Sequence, residues 1–106
     1  MKSLSKNNGI AMARRLRQRL LEERIPVHAV YLFGSVAGDK AHEWSDVDIA
    51  ILCTPFRSTR HDESMEVRRL RRDVDMRISP VCLHPDDFDN RLFGLEQEIK
   101  KHGIEV

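Results

Sequence analysis

Two short apolar runs, and the polar residues at their facing ends, limit what this chain can become. Phe33-Gly34-Ser35 closes the first run, and Ser45-Asp46-Val47-Asp48 opens the second. The first, His28-Ala29-Val30-Tyr31-Leu32-Phe33, follows Pro26 and is apolar, β-branched and aromatic, so it reads as a strand. Gly34 ends it with freedom of backbone angle and room for close approach. Ser35 adds a hydroxyl and a backbone N–H. A helix starting at Ser35 or Val36 would aim free N–H groups and the positive end of its dipole at an anion. The second run, Val47 to Cys53, is apolar enough for burial on both faces, which predicts a central strand. Residues two apart on a strand point the same way, with Cα atoms about 6.6 Å apart. Asp46 and Asp48 therefore share a face, suited to chelating one metal ion or straddling two ions about 3.5–4 Å apart. Their hard oxygens favour Mg²⁺ or Mn²⁺ over zinc.

Val74-Asp75-Met76-Arg77-Ile78 alternates apolar and charged residues and predicts the start of a third strand, Val74 to Leu83, with one face buried. Asp73, Asp75 and Arg77 fall on its polar face. Asp75 is the better candidate for a third carboxylate, because Asp73 belongs to the end of the preceding helix. Arg77 either pairs with that carboxylate or holds a phosphate oxygen. Ser45 either caps a turn or contacts a nucleotide. Pro80 places the third strand at an edge or a bulge.

The remaining elements follow from periodicity. Residues 1–8 are polar and read as flexible. Ile10 to Glu23 is a helix with Ile10, Ala13, Leu16, Leu20 and Leu21 as its apolar stripe, stopped by Pro26. Asp62 to Asp73 is a second helix with few apolar residues, Met65, Val67 and Leu70. Arg68-Arg69-Leu70-Arg71-Arg72 lies among acidic residues and reads as a solvated face with i,i+4 pairing. Pro85 to His102 is a third helix with a break near Gly94, Gly103 suits its C-cap, and Ile104 to Val106 adds a short last strand. The five histidines are scattered without ligand spacing.

With 106 residues, 41% hydrophobic and 33% charged, the chain predicts one globular domain spanning 1–106. A net charge of +1 gives no signal for tight nucleic-acid binding. No apolar run is long enough to span a bilayer, and Met1 to Lys6 lacks the apolar stretch of a signal peptide. Cys53 and Cys82 lie in apolar runs and predict buried free thiols in a cytoplasmic protein.

The ordered set Gly34-Ser35, Asp46-x-Asp48 and Asp75 resembles the polymerase-β-type nucleotidyltransferase superfamily, in particular its minimal (MNT) members. Leu83-His84-Pro85-Asp86-Asp87-Phe88 and the ending Ile99 to Val106 also resemble those members, so the likeness covers roughly Val27 to Val106. One departure stands out: Gly38 comes four residues after Gly34, and Asp39 occupies the place where the family sets its loop glycine. The resemblance implies an α/β (α+β) fold, a small mixed sheet with helices packed mainly on one side. It implies in-line transfer of AMP from ATP, with Asp46 and Asp48 on two Mg²⁺ ions, Asp75 on the catalytic ion and the acceptor proton, and Gly34 and Ser35 on the β- and γ-phosphates. The chain is short for an acceptor-binding domain. The resemblance therefore further implies a partner, a small all-helical HEPN protein whose tyrosine accepts AMP in a toxin–antitoxin pair. Two other classes remain open: a non-catalytic antitoxin or scaffold that binds a helical partner, and one subunit of a two-subunit, aminoglycoside-type small-molecule nucleotidyltransferase.

Overall fold

The computed structural model describes residues 5–38, 46–88 and 94–106. The chain passes through α1 (Lys6–Glu22), β1 (Val27–Phe33), α2 (Gly34–Ala37), β2 (Val47–Cys53), α3 (Arg60–Leu70), a 3₁₀ turn (Arg71–Asp73), β3 (Ile78–Leu83), α4 (Pro85–Phe88), α5 (Gly94–His102) and β4 (Ile104–Glu105).

Helix α1 begins earlier than its apolar periodicity suggests. Ser5 is extended and its Oγ accepts the Asn8 N–H at 3.1 Å, which caps the first turn. Lys6, Asn7 and Asn8, expected to be flexible, are thus helical. Met12, Ala13, Leu16 and Leu20 form the buried stripe, whereas Leu21, counted in it from the sequence, is 44% exposed. One residue beyond Leu20 is a rotation of about 100° away from that stripe. The helix closes with a paired C-terminal turn: Arg24 N–H donates to the Leu21 carbonyl and Ile25 N–H to the Leu20 carbonyl. Arg24 takes the left-handed conformation, φ 62°, that this closure requires.

The four strands form one sheet in the order β3-β2-β1-β4. β1 pairs antiparallel with β2, from Ala29↔Leu52 to Phe33↔Asp48. β4 adds antiparallel to β1 through Tyr31↔Glu105 and Leu32↔Ile104. β2 and β3 are parallel, from Val47↔Ile78 to Leu52↔Leu83. β2 has the bounds and the internal position expected of it, and Pro80 lies on the edge strand.

The third strand starts later than its alternation predicts. Val74 and Asp75 N–H both donate to the Arg71 carbonyl, and Ile78 N–H donates to the Asp75 carbonyl. Those backbone groups are spent on a turn, so residues 74–76 stay out of the ladder, Arg77 reaches it only through its carbonyl, which accepts the Val47 N–H at 2.9 Å, and Met76 is exposed. The expected helix from Pro85 to His102 is α4 and α5, with 89–93 outside the described residues.

Strand parity divides the packing. Val47, Ile49, Ile51 and Cys53 enter the larger core with Leu16 and Leu20 of α1, Val67 and Leu70 of α3, and Ile78 and Cys82 of β3. Ala50 points the other way, into a smaller cluster with Leu83 and Ile99 of α5, flanked by Tyr31, Phe33, Leu52 and Val81. The two long helices therefore cover one face and α5 the other. Cys53 and Cys82 are buried free thiols within the larger core. Its hydrogen bond to Cys82, together with burial, pushes the Cys53 thiol up.

Helix α3 departs most from its sequence reading. Thr59 caps it by accepting the Asp62 N–H at 3.1 Å. Its inward face is Glu63, Val67 and Leu70, while Met65 is 54% exposed. Among the described residues, no helix is long and apolar enough to cross a membrane.

Candidate active site

The site forms where β1 ends and β2 begins. Phe33 lies opposite Asp48 in the antiparallel register, so the residue after Phe33 has to pass close to the Asp48 side chain. Gly34 does so with φ 74°, a conformation that L side chains rarely adopt. A Cβ at Gly34 would also collide with the Asp48 carboxylate. Glycine is thus required here twice over, by backbone angle and by space. The chain then makes one helical turn, α2, held down by the buried Val36 and Ala37, and leaves Ser35 exposed.

Asp46 and Asp48 share strand parity with Ala50, so they belong to the face that α5 covers. Asp46 is exposed and Asp48 half-buried. Burial pushes the Asp48 carboxyl up, and the charges of Asp46 and then Glu98 push it further in the same direction. Glu98 was not singled out by sequence reasoning. It lies on α5 one turn before His102, and both residues line a cavity of about 530 Å³ together with Gly34, Ser35, Ala37 and Gly38. An i,i+4 pair beside a buried Ile99 was the available signal, but only tertiary packing shows which face of that helix meets the Gly-Ser turn.

Asp75 and Arg77 engage each other. Arg77 Nε and Nη2 donate to the Asp75 carboxylate at 3.0 and 2.8 Å, and Arg77 N–H donates to it at 2.8 Å. The Arg77 guanidinium holds the Asp75 carboxyl below the usual range, with a smaller contribution from Arg15. Of the two roles open to Arg77, pairing with the carboxylate is the one observed. Ser45, with the rest of the polar loop at 39–45, lies outside the described residues.

Among the described residues, no three His, Cys, Asp or Glu side chains converge on a common metal position. This donor set still fits magnesium. Mg²⁺ is commonly held by one or two carboxylates, with water and substrate phosphates completing the octahedron. Asp46 and Asp48 supply such a pair, and Asp46 and Glu98 add negative charge around the half-buried Asp48 that a cation would offset.

Elsewhere, sequence reasoning missed a buried carboxylate hydrogen-bonded to a histidine. Glu63 is 0% exposed and joins His84 at 2.6 Å, far along the strands from Asp48.

The sequence profile of a family described as "Polymerase beta, Nucleotidyltransferase" matches residues 17–104. No curated protein matches the chain. The matched span runs from α1 to the start of β4 and takes in the whole sheet face that carries Gly34, Asp46 and Asp48, and on that span the chain belongs to the polymerase beta nucleotidyltransferase family.

Proposed function

We propose that this nucleotidyltransferase moves AMP from ATP onto a hydroxyl, and that the acceptor is a tyrosine of a helical HEPN-type partner in a cytoplasmic toxin–antitoxin pair. The observation that carries the nucleotide part is the packing of Gly34 against Asp48. It places an exposed Ser-bearing turn beside a carboxylate pair, as the grip on a metal-bound triphosphate needs. The partner and the tyrosine are supported by the resemblance to minimal members in Gly34-Ser35, Asp46-x-Asp48, Asp75 and the C-terminal run.

In this reading Asp46 and Asp48 would hold Mg²⁺, which would supply charge neutralisation at the phosphorus oxygens. Gly34 and Ser35 orient the β- and γ-phosphates. The acceptor oxygen forms its bond to the α-phosphorus as the bond to the bridging oxygen breaks, and pyrophosphate leaves. The hydroxyl proton goes to Asp75, which Arg77 releases by shifting its guanidinium to a phosphate oxygen.

The test is intact-mass analysis of the co-purifying partner after incubation with ATP and Mg²⁺. A mass gain of one or more AMP units, abolished by D46N/D48N, supports the proposal. An unmodified partner in a stable complex points to neutralisation by binding.

A further inference from the structure

The cavity beside the Gly-Ser turn has a second wall, formed by α5, that lies outside the Gly-Ser and Asp-x-Asp motifs. Helix α5 lies on the Asp48 face of the sheet, and buried Ile99 fixes its rotation. The chain that follows α5 is stitched down close by. β4 pairs with Tyr31 and Leu32, and Val106 N–H donates to the Val30 carbonyl at 2.9 Å. With Ile99 turned inward, Glu98 and His102 border the cavity together with Gly34 and Ser35. Lys100 and Lys101, in the same last turn, are not part of that lining.

The charge on this wall is of two kinds. Glu98 brings negative charge to the lining, and the Asp48 carboxylate stands against Gly34, which also lines the cavity. His102 is a hydrogen-bond donor group near the exposed turn. A bare triphosphate is a polyanion and is repelled by these carboxylates, whereas the same triphosphate carrying a divalent cation is not.

We propose that α5 is the specificity wall of the nucleotide cavity, with His102 donating to the terminal phosphate of a nucleoside triphosphate and Glu98 making triphosphate binding conditional on a divalent cation. This rests on reading the cavity as the nucleotide site. Glu98 acts by charge, as a positioning residue, and His102 by contact.

The experiment measures equilibrium binding of a fluorescently labelled α,β-methylene ATP to the full chain, with Mg²⁺ or with EDTA. Wild type, E98Q and H102A are compared, with circular dichroism as a folding control. Both residues are exposed, so the variants are expected to fold. Wild type should bind only with Mg²⁺. E98Q should gain detectable binding in EDTA, still about tenfold or more below its Mg²⁺ value because Asp46 and Asp48 remain. H102A should lose about tenfold for the triphosphate and nothing for AMP, as expected for one hydrogen bond to a charged group. If wild type binds with Mg²⁺ while E98Q binds no better than wild type in EDTA and H102A keeps full affinity, the α5 proposal is overturned and the nucleotide reading stands. If wild type does not bind the analogue at all, the nucleotide reading itself fails.

Discussion

The buried Glu63 carboxylate accepts a hydrogen bond from His84 Nε2–H at 2.6 Å. Its other oxygen accepts the Phe56 and Arg57 N–H groups at 2.6 and 3.3 Å. One side chain of α3 thereby ties the turn after β2 to the residue after β3. Burial alone would raise the Glu63 pKa, but these hydrogen bonds outweigh it and hold the carboxyl below its ordinary 4.5. A depressed folded value gives stability that is present above about 4.5 and lost as pH falls through the folded value. E63Q replaces a carboxylate that accepts from His84, Phe56 and Arg57 with an amide and should cost about 1–3 kcal/mol at neutral pH. It should also flatten the acid limb of the stability profile. Urea unfolding at neutral and acid pH checks both, and an unchanged acid limb refutes the assignment.

Gly34→Ala must place a Cβ against the Asp48 carboxylate at a positive φ. It should cost about 1–2 kcal/mol from the backbone alone and displace Asp48. Thermal unfolding gives the first effect and Mg²⁺-dependent ATP binding the second. Retention of both near wild type would show that the turn is not constrained as described.

Asp48→Asn separates stability from function. The Asp48 carboxyl is raised by burial and by Asp46 and Glu98, so its ionised form is disfavoured in the fold. For a group with a raised folded value, stability is fully present below the unfolded value of 3.8 and lost as pH rises through the folded one. The variant should therefore be about 0.5–1 kcal/mol more stable at neutral pH. That advantage should vanish in acid, and nucleotide binding should be lost. A less stable variant at neutral pH would contradict the electrostatics.

Arg24 occupies a left-handed position that glycine fills at less cost. Arg24→Gly should raise stability by about 1 kcal/mol, offset in part by the greater freedom of the unfolded chain. Denaturant midpoints measure the difference. A fall in stability would mean that the arginine side chain contributes more than its backbone costs.

The parts legible in the sequence were those governed by local pattern. β2 matched its apolar run at both ends, and the Gly-Ser and Asp-x-Asp motifs came together as their strand context implied. Val74-Asp75-Met76-Arg77 misled because period-two alternation also suits a turn whose N–H groups have been captured by Arg71. Ser5 carried a helix-start signal hidden by the polar residues after it. Glu63 and Glu98 were not legible, since acidic residues on charged helices look alike until packing shows that one faces His84 and the other the carboxylate pair.

The parity of β2 has a consequence for how such a chain changes over time. Its odd-numbered side chains meet α1 and α3 and hold the molecule together, while its even-numbered ones face α5, with Asp48 against the Gly34 turn. Substitutions on α5 can thus reshape what the cavity admits while leaving the larger core untouched. A lineage built on this sheet can trade one ligand for another by revising a single short helix, and a protein engineer can take the same route.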